Sequence, residues 1–77
     1  MPEQQRRFDR ITFDPRVMRG RACIRGMRLT VAQIMEDLAD GATVEELLAA
    51  HPSLEAEDVR QALAYAGWLA REEVVPA

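Results

Sequence analysis

The twenty residues ACIRGMRLTVAQIMEDLADG, from Ala22 to Gly41, decide the reading of this chain, because the spacing of apolar residues changes inside them. Before Thr30 the period is two: Met27, Leu29 and Val31 share one face, as side chains of an extended segment do, while Ile24 has the opposite parity. A strand alternates strictly, so Arg25-Gly26 must be a turn or bulge that resets the register, and glycine tolerates the backbone this requires. After Thr30, Val31, Ile34, Met35, Leu38 and Ala39 recur at the 3.6-residue period of an amphipathic helix. Thr30 is placed to cap its start, and Gly41 to end it.

Toward the C-terminus, Thr43-Val-Glu-Glu has the form of a capping box, in which the threonine hydroxyl and the Glu46 carboxylate satisfy amides at a helix start. The second helix, with the stripe Val44, Leu47, Leu48 and His51, is stopped by Pro52. Glu55-Ala-Glu-Asp opens a third helix, where its dipole favours negative charge. Val59, Ala62, Leu63, Ala66 and Leu69 are its expected buried stripe. Tyr65 and Trp68 lie at the edge of that stripe, where aromatics roof a core or meet a second subunit, and both are candidate partner contacts. Toward the N-terminus, Arg10-Ile-Thr-Phe-Asp-Pro alternates as a short strand with Ile11 and Phe13 on one face.

The expected organisation is a flexible polar arm over residues 1–9, a single domain over residues 10–71 and a fraying tail over residues 72–77. The domain is mainly α: three helices with a short N-terminal β segment, the last two joined by His51-Pro-Ser-Leu in the arrangement of a helix-turn-helix unit.

Charge divides this domain into two parts. The first thirty residues hold eight arginines against Glu3, Asp9 and Asp14, a net of +5; from Val31 onward two arginines face ten acids, a net of −8. Such separation suits two partners of opposite sign. Glu55, Glu57 and Asp58 sit in the first turn of what would be the reading helix and would repel phosphates, so nucleic acid would have to be gripped by Arg16, Arg19, Arg21, Arg25 and Arg28. The acidic part, with Glu72 and Glu73, would meet a basic protein.

A chain of 77 residues has a thin core, and small domains compensate with disulfides, metals or a second copy. Cys23 is the only cysteine and His51 the only histidine, so neither a disulfide within the chain nor a zinc site of the usual ligands is expected. A homodimer remains. No cofactor, metal or small-molecule substrate is implied. No recognisable nucleophile, general base or phosphate loop points to an enzyme. The absence of an apolar leader or membrane span, with one free thiol, gives a cytoplasmic expectation.

Arg10-Ile-Thr, Asp14-Pro, Gly20-Arg-Ala-Cys-Ile-Arg-Gly-Met-Arg-Leu-Thr-Val, Pro52, Leu54, Asp58-Val and Ala62-Leu-Ala-Tyr-Ala together resemble the prokaryotic family labelled domain of unknown function 433, over about residues 10 to 67. Arg25, Gly26 and Arg28 match its motif by position. Ala22, Met27 and Glu55 depart from it, standing where proline, threonine and a threonine cap are usual. The resemblance implies a homeodomain-like helix-turn-helix and a role like that of VapB-type antitoxins, which neutralise PIN-like nuclease toxins and repress their shared operon. The alternative is a protein-protein interaction or dimerisation module that binds no nucleic acid.

Overall fold

The computed structural model describes residues 8–72. Two short strands, β1 (Ile11–Thr12) and β2 (Cys23–Ile24), pair antiparallel with Ile11 opposite Ile24 and Thr12 opposite Cys23. Three helices follow: α1 (Val31–Ala39), α2 (Val44–Ala50) and α3 (Ala56–Glu72). A three-residue 3-10 turn, Met18–Gly20, lies between the strands.

The expected reset after Ile24 is a tight turn. Arg25 and Gly26 have φ of 44° and 74°, the Met27 amide donates to the Ile24 carbonyl at 2.7 Å, and the Ile24 amide donates to the Leu29 carbonyl at 3.0 Å. Two successive left-handed residues reverse the chain as a type I′ turn does. This returns Thr30 beside Cys23 and delivers the chain into α1.

Each end of α1 is closed locally. The Thr30 hydroxyl accepts from the Gln33 amide at 3.0 Å. At the other end Gly41, with φ of 101°, lets the Ala42 amide reach the Asp37 carbonyl and the Gly41 amide reach the Leu38 carbonyl, both at 3.0 Å. That double bond pattern is a Schellman motif. The Thr43 box closes α2 reciprocally: the Glu46 amide donates to the threonine hydroxyl at 3.0 Å, and the Thr43 amide donates to the Glu46 carboxylate at 2.7 Å.

The core is built from Ile11, Ile24, Leu29, Val31, Ile34, Leu47, Leu54, Val59 and Ala62, completed by Phe8 and Tyr65. Three expectations are corrected here. Phe8, assigned to the arm, is only 4% exposed and packs edge-on against Tyr65, with ring centroids 5.4 Å apart; residues 1–7 of the arm lie outside the described residues. On α3, Leu63 and Leu69 are 48% and 44% exposed, while Asp58, Val59, Gln61, Ala62 and Tyr65 face inward. The inward stripe still follows i, i+3, i+4 and i+7, but it is part polar, so apolar spacing alone finds Val59 and Ala62 and misplaces Leu63 and Leu69. Glu72 belongs to α3 rather than to a tail, and Glu73 to Ala77 lie outside the described residues.

Candidate nucleic-acid interface

The polar half of the α3 stripe explains where two arginines go. Asp58, fully buried, accepts from Arg25 Nε at 3.0 Å and from Arg10 at 3.0 Å on one oxygen. Its other oxygen accepts from the second Arg25 nitrogen at 2.8 Å and from the Glu55 amide at 2.8 Å. Burial alone would push this carboxyl up. The bonds from Arg25, the Glu55 amide and Arg10 more than offset that and hold it at about 2. Arg25 also donates to the Ser53 carbonyl at 2.6 Å, and Arg10 to the Glu55 carboxylate at 2.6 Å. Gln61 ties β1 in as well, accepting from the Arg10 amide at 3.0 Å and donating to Asp9 at 2.8 Å.

This network revises the electrostatics at the start of α3. Of the three acids at its start, Asp58 and Glu55 are paired with Arg10 or Arg25, and Glu57 is paired with Arg60. The same pairing removes Arg25 from the set expected to grip phosphates: it braces the β2 turn against α3.

The other four arginines of that set do gather. Arg16, Arg19, Arg21 and Arg28, with Pro15 and Met18, line an open cleft of about 400 Å³. All four are exposed, and no carboxylate lines the cleft. Arg16 is held by Asp14, which accepts from its Nε and a terminal nitrogen, both at 3.1 Å; the same bonds lower the Asp14 carboxyl. The guanidinium groups of Arg19, Arg21 and Arg28 have no hydrogen bond or ion pair among the described residues.

The backbone that presents them is strained. Met18, Arg19 and Gly20 have successive φ of 50°, 60° and 80°, and two of the three are not glycine. Left-handed conformations cost L residues about 1 to 2 kcal/mol each. Bonds from the Val17 amide to the Asp14 carbonyl at 2.8 Å and from the Arg21 amide to the Met18 carbonyl at 3.2 Å hold the reversal. It points Arg19 and Arg21 from a short loop onto one surface, a juxtaposition that no sequence period encodes.

The candidate partner contacts fare differently. Tyr65 is 8% exposed and belongs to the core, and Trp68 is half-buried against Phe8, with centroids 6.2 Å apart. Glu72 is the last residue of α3, and Glu73 lies outside the described residues. Apart from Asp9 and Glu55, which bond to Gln61 and Arg10, the exposed acids among the described residues lie on α1, α2 and the link between them: Glu36, Asp40, Glu45 and Glu46, on a stretch with no basic residue. Cys23 is 1% exposed, and burial pushes its thiol up, which suits packing rather than reactivity. Among the described residues no three of His, Cys, Asp and Glu are grouped to hold a metal ion, and no helix is long and apolar enough to cross a membrane.

Fold and surface together define a small three-helix domain with an arginine-lined cleft on its β side. Residues 11–66 match the family model described as protein of unknown function (DUF433), and the chain belongs to that family. It is similar to the uncharacterized protein y4eO of Sinorhizobium fredii (strain NBRC 101917 / NGR234), 39% identical over 56 residues; these are 73% of this chain and 25% of that protein, so the chain spans about a quarter of its curated relative. A solved structure, that of a DUF433 member from Anabaena variabilis ATCC 29413, superposes with a TM-score of 0.76 at 30% identity, covering 94% of this chain and 80% of the other.

Proposed function

We propose that this protein is an antitoxin-like regulator in the cytoplasm. Its arginine cleft contacts the phosphates of operator DNA, and its acidic helices cover a basic nuclease of the PIN-like kind. The observation that carries this reading is the cleft: four arginines converge, three have no partner within the described chain, and no carboxylate lines the wall. Unpaired guanidinium groups exposed side by side repel one another, and bound phosphates relieve that repulsion while forming bidentate hydrogen bonds. Contacts of this kind fix register on the duplex and supply salt-sensitive affinity. At the end of α1 and on α2, the exposed Asp40, Glu45 and Glu46 offer a cationic partner a surface of uniform sign.

The reading is tested by fluorescence anisotropy with DNA from upstream of the gene. Wild type is expected to bind at low salt, and the triple substitution Arg16→Ala, Arg19→Ala, Arg28→Ala to abolish binding without changing the helical spectrum. A second reading, a module for protein contacts alone, draws on the pairing of Arg10 and Arg25 with Asp58, which shows basic residues of this half serving internal structure. Failure of the wild type to bind DNA at any salt concentration favours it.

A further inference from the structure

A different face of the molecule carries a second site. Between Gln61 and Ala70 helix α3 has no charged residue, yet its own domain buries only Gln61, Ala62 and Tyr65 of that stretch. A helix segment apolar on all sides is normally covered on all sides. Beside it, an open groove of about 390 Å³ runs between α3 and α1. Phe13, 39% exposed, and Leu69, 44% exposed, stand up from it, and the small side chains of Ala32 and Ala66 leave its floor low. Projection and hollow thus occupy one patch.

Two charges frame that patch. Arg21 lines the groove and has no partner among the described residues. On α1, Glu36 lies one turn beyond Ala32 on the same helix face, is exposed, and likewise has no partner among the described residues. A two-fold interface demands a surface that complements itself, because residue i meets residue j of the other copy and j meets i. Here Leu69 can fill the hollow over Ala32 and Ala66 of a second copy, and Arg21 can face that copy's Glu36, each contact occurring twice.

We infer that the groove between α1 and α3 is the interface of a homodimer, with Leu69 as its central anchor and reciprocal Arg21–Glu36 pairs at its rim. The inference does not depend on nucleic acid: of the four cleft arginines only Arg21 lines the groove, leaving Arg16, Arg19 and Arg28 to the other surface.

Sedimentation velocity and equilibrium on the full chain test it. From micromolar concentration upward, wild type is expected at twice its 8.7 kDa monomer mass. Leu69→Glu removes the anchor from both halves and should raise the dimer dissociation constant about 100-fold or more. Leu63→Glu, equally exposed but outside the groove, should leave it unchanged. Arg21→Glu and Glu36→Arg should each weaken the dimer about tenfold, and the double swap should return it to within about threefold of wild type. All of these residues are exposed, and helical circular dichroism checks that each variant is folded. A wild type that stays monomeric to millimolar concentration overturns the inference, whether or not some other protein covers the groove. So does a Leu69→Glu variant that dimerises normally, or a double swap no tighter than the single variants.

Discussion

Replacing Asp58 by asparagine changes one oxygen to nitrogen, and the structure gives the consequence a size. The carboxylate accepts four hydrogen bonds, three from arginine nitrogens and one from the Glu55 amide, with no solvent contact. Asparagine keeps the shape but turns one acceptor into a donor, aimed either at Arg25 and the Glu55 amide or at Arg25 and Arg10. It also leaves Arg25 without its carboxylate and Arg10 with Glu55 alone. Breaking a buried pair costs about 3 to 5 kcal/mol, and Arg10 and Arg25, at 28% and 37% side-chain exposure, can recover part of that by rehydrating. We expect a loss of about 3 kcal/mol, a large share of the total for a domain of this size, and a fall in Tm of about 15 °C. Urea titration at neutral pH, followed by circular dichroism, measures it.

The pH dependence follows with a definite sign. The folded carboxyl, at about 2, lies below its usual 3.8, so its contribution is complete above pH 3.8 and is lost as pH falls toward 2. The difference corresponds to about 2 kcal/mol. The wild type should lose that much more stability than Asp58→Asn between pH 5 and pH 2. A variant within about 0.5 kcal/mol of wild type at neutral pH, or parallel pH profiles, would refute the bracing role assigned to this network.

Two further outcomes test the packing. Phe8→Ala should cost about 3 kcal/mol, measured by the same titration, because this ring fills the corner between Tyr65 and Trp68; a neutral result would return Phe8 to the arm. Cys23, buried with its thiol pushed up, should react with a thiol-specific reagent in the native state only at the rate set by opening, and fully once the chain is unfolded in urea. Rapid native labelling would contradict the burial.

The elements that were legible in the sequence are those fixed by local chemistry. The Thr43 box, the Thr30 cap, the Gly41 stop and the reset at Arg25-Gly26 all reappear, because each is decided by neighbours within a few residues. The face of α3 was legible only in part: Val59 and Ala62 are buried as expected, while Leu63 and Leu69 are not. Its inward stripe contains Asp58, held by Arg10 and Arg25, 48 and 33 residues away, and Gln61, held by the Arg10 amide and Asp9, 51 and 52 residues away. The signal that could have exposed it is charge: two arginines in the N-terminal half and a run of carboxylates opening a helix admit a long-range pairing. The arginine set was legible in part. Sequence grouped Arg16, Arg19, Arg21, Arg25 and Arg28 by proximity along the chain; the left-handed turn at Met18–Gly20 and the tight turn at Arg25 sort them, turning Arg25 to α3 and leaving the other four on the cleft.

The functional proposal rests on the cleft being a phosphate site, and the salt dependence of DNA binding addresses it most directly. Arg28 lines the cleft but not the groove between α1 and α3, and its side chain has no internal partner among the described residues, so Arg28→Ala should leave the fold, and the dimer inferred above, in place. Anisotropy titrations on upstream DNA across a range of salt concentrations should give wild type a steep negative slope of log affinity against log salt. Arg28→Ala should reduce the magnitude of that slope by about 1 for each chain bound, about 2 for a dimer. Slopes that coincide for the two proteins, or a wild type that does not bind at low salt, would contradict the assignment of the cleft to nucleic acid.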